Sequence, residues 1–198
     1  EADVERDETD RSEQSGPDPA LDALCGGRPS MLDAGDTAPA LEAPMSTPEN
    51  AAGKSGEFTS DEVEPFALED ALADGPVALA FFPGAFSRTC TREMCQMRDW
   101  WSDLAELPGA VYGVSADPPF PQLAFVDEYD LSFPLLSTFN NDVLRGFGVR
   151  VEEGILRGIA RRSVFVLGPD RTVVYAWAAD EPLTFPDLDA VAAAMESA

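Results

Sequence analysis

Cys90 and Cys95 stand five residues apart in the stretch "FFPGAFSRTCTREMC" (81–95), within a chain of 198 residues that contains no histidine. A thiol acts as a nucleophile in its thiolate form. With an ordinary pKa near 8.5 only about 3% is ionised at neutral pH, whereas a thiol near 6 is about 90% ionised, a difference of about 3.4 kcal/mol. A helix N-terminus supplies about 0.3–1 kcal/mol of that, or about 2 when partly buried. A cation has to supply the rest. With no histidine, and with Lys54 the sole lysine and set in a Gly/Ser-rich loop, that cation must be an arginine. The missing imidazole also excludes papain-like hydrolysis, where a base must protonate a leaving amine. Peroxide reduction needs a thiolate and little proton shuttling: sulfur attacks one oxygen, the O–O bond breaks, and a sulfenic acid forms. The departing oxygen gains negative charge, so donors must face it, and Ser87, three residues before Cys90, is the candidate hydroxyl.

The elements that would hold these residues are legible. "PVALAFFP" (76–83) is an apolar run closed by Pro83 and Gly84, and a helix is predicted to begin near Thr89. Cys90 then falls in the first helical turn, at the carboxyl end of a central strand, where free backbone N–H groups and the helix dipole favour an anion. Further strands are predicted at 110–116, 133–138, 163–167 and 172–178, several apolar enough to be buried on both faces. Helices are predicted at 89–107, 120–130 and 185–198, with a short turn at 141–148, and "GPDR" (168–171) reads as a hairpin turn. Strands alternating with helices and ending in a hairpin imply an α/β layer fold with a mixed central sheet flanked by helices.

Thirteen basic against 37 acidic residues give a formal charge of −24. Acid excess with arginine in place of lysine fits a protein kept soluble in concentrated salt, where charges are screened within about 3 Å at 1 M, so halophilic adaptation is expected. Such a field repels nucleic acid and anionic membranes, and no apolar run approaches a membrane span. Residues 1–30 carry few large apolar side chains and are expected to form an acidic, disordered N-terminal extension, with the domain at 31–198. Glu1 rather than methionine stands first, which leaves room for an upstream segment such as a targeting peptide. Three cysteines, an odd number, do not make a disulfide framework and fit a reducing, cytoplasmic setting; Cys25, in the extension, reads as a passive thiol. Two thiolates at this spacing without histidine do not complete a tetrahedral metal site, and no cofactor is expected.

"PGAFSRTC" (83–90) resembles the Pro-x-x-x-Thr/Ser-x-x-Cys signature of the peroxiredoxins, the alkyl hydroperoxide reductase and thiol-specific antioxidant family. "GDTAPALEAP", "VSADPPF", "FPLLS" and "RSVFVLG" follow the family's order, so the resemblance spans about 31–198. It implies a thioredoxin-like fold and a thiol-dependent peroxidase, with Cys90 as peroxidatic cysteine, Ser87 orienting the peroxide and Pro83 shielding the pocket. The family's distant arginine precedes a strand as Arg-x-x-Phe, which selects Arg162 because Phe165 follows three residues on. Arg161 competes, and adjacent strand residues face opposite ways, so only one of the two can face Cys90. Glu93 matches an acid common in the family, expected to hold an arginine in place, and could equally serve as an N-terminal helix acid. Arg88 and Arg92 are expected to face solvent. Gly168 stands where many relatives carry aspartate. Residues 118–120 and "FPLLSTFNND" (133–142) are expected at the pocket mouth.

The spacing of Cys95 resembles that of the bacterioferritin-comigratory, or Q-type, subgroup, in which a resolving cysteine lies five residues after the first. Five helical residues place two Cα atoms about 8–9 Å apart, whereas a disulfide needs about 4.4–6.8 Å. The first turns of the helix would have to unwind for Cys95 to reach a sulfenic acid. Alternatives are a one-cysteine peroxidase resolved by an external thiol, resolution by Cys25, Cys95 as core packing, a thioredoxin-like disulfide oxidoreductase, or a non-catalytic scaffold. The expected partners are a peroxide and a thioredoxin- or glutaredoxin-like dithiol reductant, with the chain a monomer or homodimer. Trp100 and Trp101 read as core and interface packing, with at least one near the surface.

Overall fold

The computed structural model describes residues 30–103, 107–181 and 183–198. Residues 1–29, with Cys25 and nearly all of the expected extension, lie outside them. In chain order the elements are β1 (Glu42–Ser46), α1 (Pro48–Ala51), β2 (Val63–Ala67), α2 (Leu68–Ala73), β3 (Val77–Phe81), α3 (Arg88–Asp103), β4 (Ala110–Ser115), α4 (Pro119–Glu128), β5 (Leu135–Ser137), α5 (Val143–Gly146), β6 (Ser163–Leu167), β7 (Val173–Ala178) and α6 (Leu188–Ser197).

The strands form one mixed sheet in the order β2-β1-β5-β4-β3-β6-β7. Strands β3, β4 and β5 run parallel, while β6 pairs antiparallel with β3 and β7. The α/β architecture expected from the alternation of patterns is therefore the one observed. Strands β3 and β6 are buried along their whole length, which is why they read as continuous apolar runs.

Period-2 alternation divides the core between the two faces of the sheet. Val77, Leu79 and Phe81 of β3 point to one face with Phe165 and Leu167 of β6, where Leu68 and Leu72 of α2 and Leu144 of α5 cover them. Ala78, Ala80, Phe82, Val164 and Val166 point to the other, beneath Met94 and Met97 of α3, Leu123 and Phe125 of α4, and Val191 and Met195 of α6. The small side chains of Ala78 and Ala80 share this layer with the methionines of α3 and α6. Cys90 belongs to this second face. Among the described residues no helix is long and apolar enough to cross a membrane.

Gly109 returns the chain from α3 into β4. Its φ is +88°, and a Cβ there would lie 1.8 Å from the Pro76 carbonyl oxygen, so only glycine fits. At the far end of the sheet the 168–171 turn closes β6 onto β7, the Arg171 N–H donating to Gly168 O at 2.9 Å and the Gly168 N–H to Thr172 O at 2.9 Å.

Strands β1 and β2 and helix α2 do not stand out in the sequence. "EAPMS" and "VEPFA" each carry a central proline, which argues against a strand in the middle of a sheet. The sheet tolerates both because Pro44 and Pro65 lie opposite each other in the register at the sheet margin, and β5 pairs with β1 only at Met45 and Ser46.

Candidate active site

The loop after β3 is built to present Cys90. The Phe82 N–H extends the sheet by donating to Val114 O at 2.9 Å, and then Pro83 and Gly84 turn the chain out. The Ala85 N–H donates to Asp117 Oδ2 at 2.8 Å, and the Ser115 hydroxyl donates to the same oxygen at 2.7 Å. Buried Gln122 donates through Nε2 to Ser115 Oγ and to Leu136 O, each at 2.9 Å. The loop is thus tied to the carboxyl end of β4 through a side-chain chain of three residues. Phe86 sits in the left-handed region at φ 60° while its exposed ring packs edge-on against Phe125 at 5.2 Å. A non-glycine residue in this region costs energy and persists only where its surroundings hold it.

Helix α3 follows at once. The Ser87 carbonyl accepts from the Thr91 N–H at 2.9 Å, so Ser87 caps the helix and Cys90 is its third residue. The N–H groups of Arg88, Thr89 and Cys90 are among those that a helix start leaves without intrahelical acceptors. Cys90 is 1% exposed, and its sulfur lies 3.6 Å from Nη2 of Arg162.

Arg162, one residue before β6, is 4% exposed, and Glu93, one turn after Cys90, is 2% exposed. Nη1 of Arg162 forms an ion pair with Glu93 Oε2. Buried charges occur where they are paired, and here the carboxylate fixes the guanidinium so that a second nitrogen faces the sulfur. Among the described residues Arg162 Nε has no hydrogen-bond partner, which leaves a donor of the buried fork unused.

Strand alternation separates the two arginines. Arg162 has the parity of Val164 and Val166, which face the layer containing Cys90. Arg161 has the opposite parity; its guanidinium donates to Ala179 O at 3.1 Å and lies 3.9 Å from Asp180, with the side chain 46% exposed.

A cleft of about 670 Å³ opens over Cys90, and Pro83, Ser87, Thr89 and Arg162 line it at the sulfur end. Val151, Leu156, Ile159 and Ala160 also line it, as do Ala179 to Glu181. Pro83 is half-buried and Ser87 exposed on the cleft wall. The mouth differs from expectation: none of residues 118–120 or 133–142 lines this cleft. Their neighbour Asp117 does, and residues 138–142 line a separate cleft of about 340 Å³ with Arg150. The loop after α5 occupies the place that the sequence reading gave to them.

Cys95 is half-buried, both described cysteines are free, and α3 runs unbroken through both. One turn beyond Cys95, Arg98 donates to Tyr129 O at 2.7 Å and to Asp99 Oδ1 at 2.8 Å. Hydrogen bonding to Asp99 pushes the Arg98 guanidinium above its ordinary range, against the opposing effect of desolvation. Trp100 and Trp101 are both half-buried against the second core layer, with ring centroids 6.1 Å apart. Arg88 and Arg92 are exposed, yet the Arg92 guanidinium lies over the ring of Phe185, 4.6 Å from its centroid. Among the described residues no cluster of histidine, cysteine, aspartate and glutamate could hold a metal ion.

The profile of the AhpC/TSA family matches residues 34–176. The chain belongs to that family. Similar proteins include one of Mycobacterium tuberculosis assigned as a peroxiredoxin, 35% identical over 128 residues that cover 59% of this chain and 82% of the relative. Another is Peroxiredoxin Q of the chloroplast of Gentiana triflora, 33% identical over 99 residues, covering 50% of this chain and 44% of that one. The crystal structure of the peroxidoxin BcpB of Mycobacterium tuberculosis superposes with a TM-score of 0.67 at 28% identity, covering 84% of this chain and 97% of that one. A family of thiol-dependent peroxidases thus supplies both the sequence and the fold relatives, and the fold is the thioredoxin-like one of the peroxiredoxin structures.

Asp117, Ser115, Gln122 and Phe185 were not identified from sequence. Asp117 carries a weak signal, an acid directly beyond the carboxyl end of a buried strand, where sites of α/β sheets collect. Phe185 carries none, because it lies in a proline-flanked connection between β7 and α6.

Proposed function

We propose that the protein reduces hydrogen peroxide and organic hydroperoxides through a Cys90 thiolate, that Cys95 resolves the sulfenic acid, and that a thioredoxin- or glutaredoxin-like dithiol protein returns the disulfide to thiols. The single observation that carries this reading is the buried guanidinium of Arg162, held by Glu93 and placed 3.6 Å from a sulfur in the first turn of a helix.

In the first step the thiolate attacks the terminal oxygen of the peroxide. An S–O bond forms as the O–O bond breaks, sulfur is oxidised to the sulfenic acid, and the other oxygen leaves as hydroxide or alkoxide and takes a proton from water. Negative charge moves from sulfur to the leaving oxygen. The Arg162 fork, the helix-start N–H groups and the Ser87 hydroxyl would serve as donors along that path, and donors aimed at developing charge do more in a water-poor site. Pro83 limits water at the cleft floor. In the second step the Cys95 thiolate attacks the Cys90 sulfur and releases hydroxide, giving a disulfide that a dithiol exchanges away.

The charge of −24 with a single lysine supports a protein that works in a salt-rich cytoplasm. The test is peroxide consumption coupled to a dithiol: wild type turns over, Cys90→Ser does not, and Cys95→Ser completes one equivalent and then depends on added small thiol. Insulin reduction without peroxide consumption would support a disulfide oxidoreductase in its place.

A further inference from the structure

Phe185 stands between two arginines that come from different parts of the fold. The Arg92 guanidinium lies 4.6 Å and the Arg162 guanidinium 5.6 Å from the centroid of its ring. Arg162 is the buried cation beside Cys90, and Arg92 is exposed on the second turn of α3. Phe185 comes from neither element; it belongs to the connection between β7 and α6. The ring thereby joins the start of α3 to the base of β6 through cation–π contacts, independently of the Glu93–Arg162 ion pair.

The position of Arg92 gives this contact a consequence. Cys90 and Cys95 are five residues apart on a continuous helix, and a disulfide between them requires the intervening residues to leave helical geometry. Arg92 and Glu93 are two of those residues. Opening the helix between the cysteines displaces the backbone that carries Arg92 and Glu93, and so works against the Arg92–Phe185 contact and the Glu93–Arg162 ion pair.

We propose that Phe185 is a positioning residue that latches the first turns of α3 against Arg162, and so sets the time for which oxidised Cys90 is held in the peroxide-facing position before Cys95 can reach it. This rests on the peroxidase reading with Cys95 as resolving thiol. A tight latch prolongs the sulfenic acid and exposes it to a second peroxide, which carries sulfur on to the sulfinic acid. A loose latch favours the disulfide.

The test compares wild type, Phe185→Leu, Phe185→Trp and Arg92→Met by rapid-quench mass spectrometry after one equivalent of hydrogen peroxide. It follows sulfenic acid at Cys90 and the Cys90–Cys95 link as separate rates. Phe185→Leu and Arg92→Met are expected to form the link about five-fold or more faster than wild type, with sulfenic acid formation changed by less, and to give less sulfinic acid under excess peroxide. Phe185→Trp, which keeps a ring face for the cations, is expected to restore the slow wild-type rate. Arg92 is exposed, so its variant keeps the assay interpretable if Phe185→Leu folds poorly. Equal link rates in wild type, Phe185→Leu and Arg92→Met would overturn the latch. So would the absence of the link in every protein, a result that removes Cys95 as the resolving thiol but leaves peroxide reduction at Cys90 standing. Failure of wild-type Cys90 to form sulfenic acid would overturn both.

Discussion

Replacing Arg162 by methionine keeps the length of the stem and removes the charge beside Cys90. Two effects must be separated, because Arg162 serves both the fold and the sulfur. Loss of one donor aimed at transition-state charge typically costs about 2.7–4 kcal/mol, so the second-order rate constant with peroxide should fall by about 10²–10³. The same substitution leaves Glu93, 2% exposed, without its cation, which costs about 3–5 kcal/mol of stability. Against a typical total of about 5–15 kcal/mol, Arg162→Met alone can unfold the domain. The pair Glu93→Gln/Arg162→Met removes both charges and should recover most of the stability while keeping the slow rate. Glu93→Gln alone retains the guanidinium and should lose no more than about ten-fold, or about 1.4 kcal/mol. Urea unfolding gives the stabilities, and stopped-flow tryptophan fluorescence gives the rates, since Trp100 and Trp101 lie on α3. A folded double variant reacting within about three-fold of wild type would refute the assignment of Arg162.

Two further substitutions and one titration probe the scaffold. Gly109→Ala must place a Cβ against the Pro76 carbonyl at a φ of +88°, and should lower the stability by at least about 2 kcal/mol in urea titrations without altering the per-molecule rate of the folded fraction. Asp117→Ala removes the acceptor of the Ala85 N–H and the Ser115 hydroxyl, and should slow peroxide reduction about ten-fold by loosening the loop ahead of Ser87, with a stability loss of about 1–3 kcal/mol. The Glu62 carboxylate accepts from the Thr59 hydroxyl and N–H in a capping box, and those bonds, with Lys54, lower its pKa from the ordinary 4.5 to about 2. A depressed carboxylate contributes stability in full above its ordinary pKa and loses it as the pH falls through the folded one, so its contribution should fade between about pH 4.5 and 2. Carboxyl NMR titration measures this directly, and a Glu62 midpoint near 4.5 would contradict it.

The parts of the fold that were legible in the sequence are those where burial and period coincide. Strands β3 and β6 lie between two layers of helices, and their unbroken apolar runs announce them. Strands β1 and β2 escape because their prolines are tolerated only by a pairing at the sheet margin that no local pattern encodes. The local half of the site, Pro83 to Glu93, is one continuous stretch and can be laid out from helix geometry. Arg162 lies 72 residues beyond Cys90, and residue spacing alone leaves it level with Arg161. What separates the two in the structure is alternation along β6, once Val164 and Val166 are seen to share the layer of Cys90. Phe185 and Asp117 meet the site only through long-range packing, and no local pattern marks the loop after α5 as a lining of the cleft.

The most direct measurement is peptide mapping after a single equivalent of hydrogen peroxide in the presence of dimedone, which captures sulfenic acids. If the guanidinium of Arg162 and the start of α3 make Cys90 the thiol that meets peroxide, the adduct forms at Cys90 within the first turnover and is absent from Glu93→Gln/Arg162→Met on the same time scale. An adduct at Cys95 or Cys25 first, or equal labelling of Cys90 in that double variant, would contradict the account.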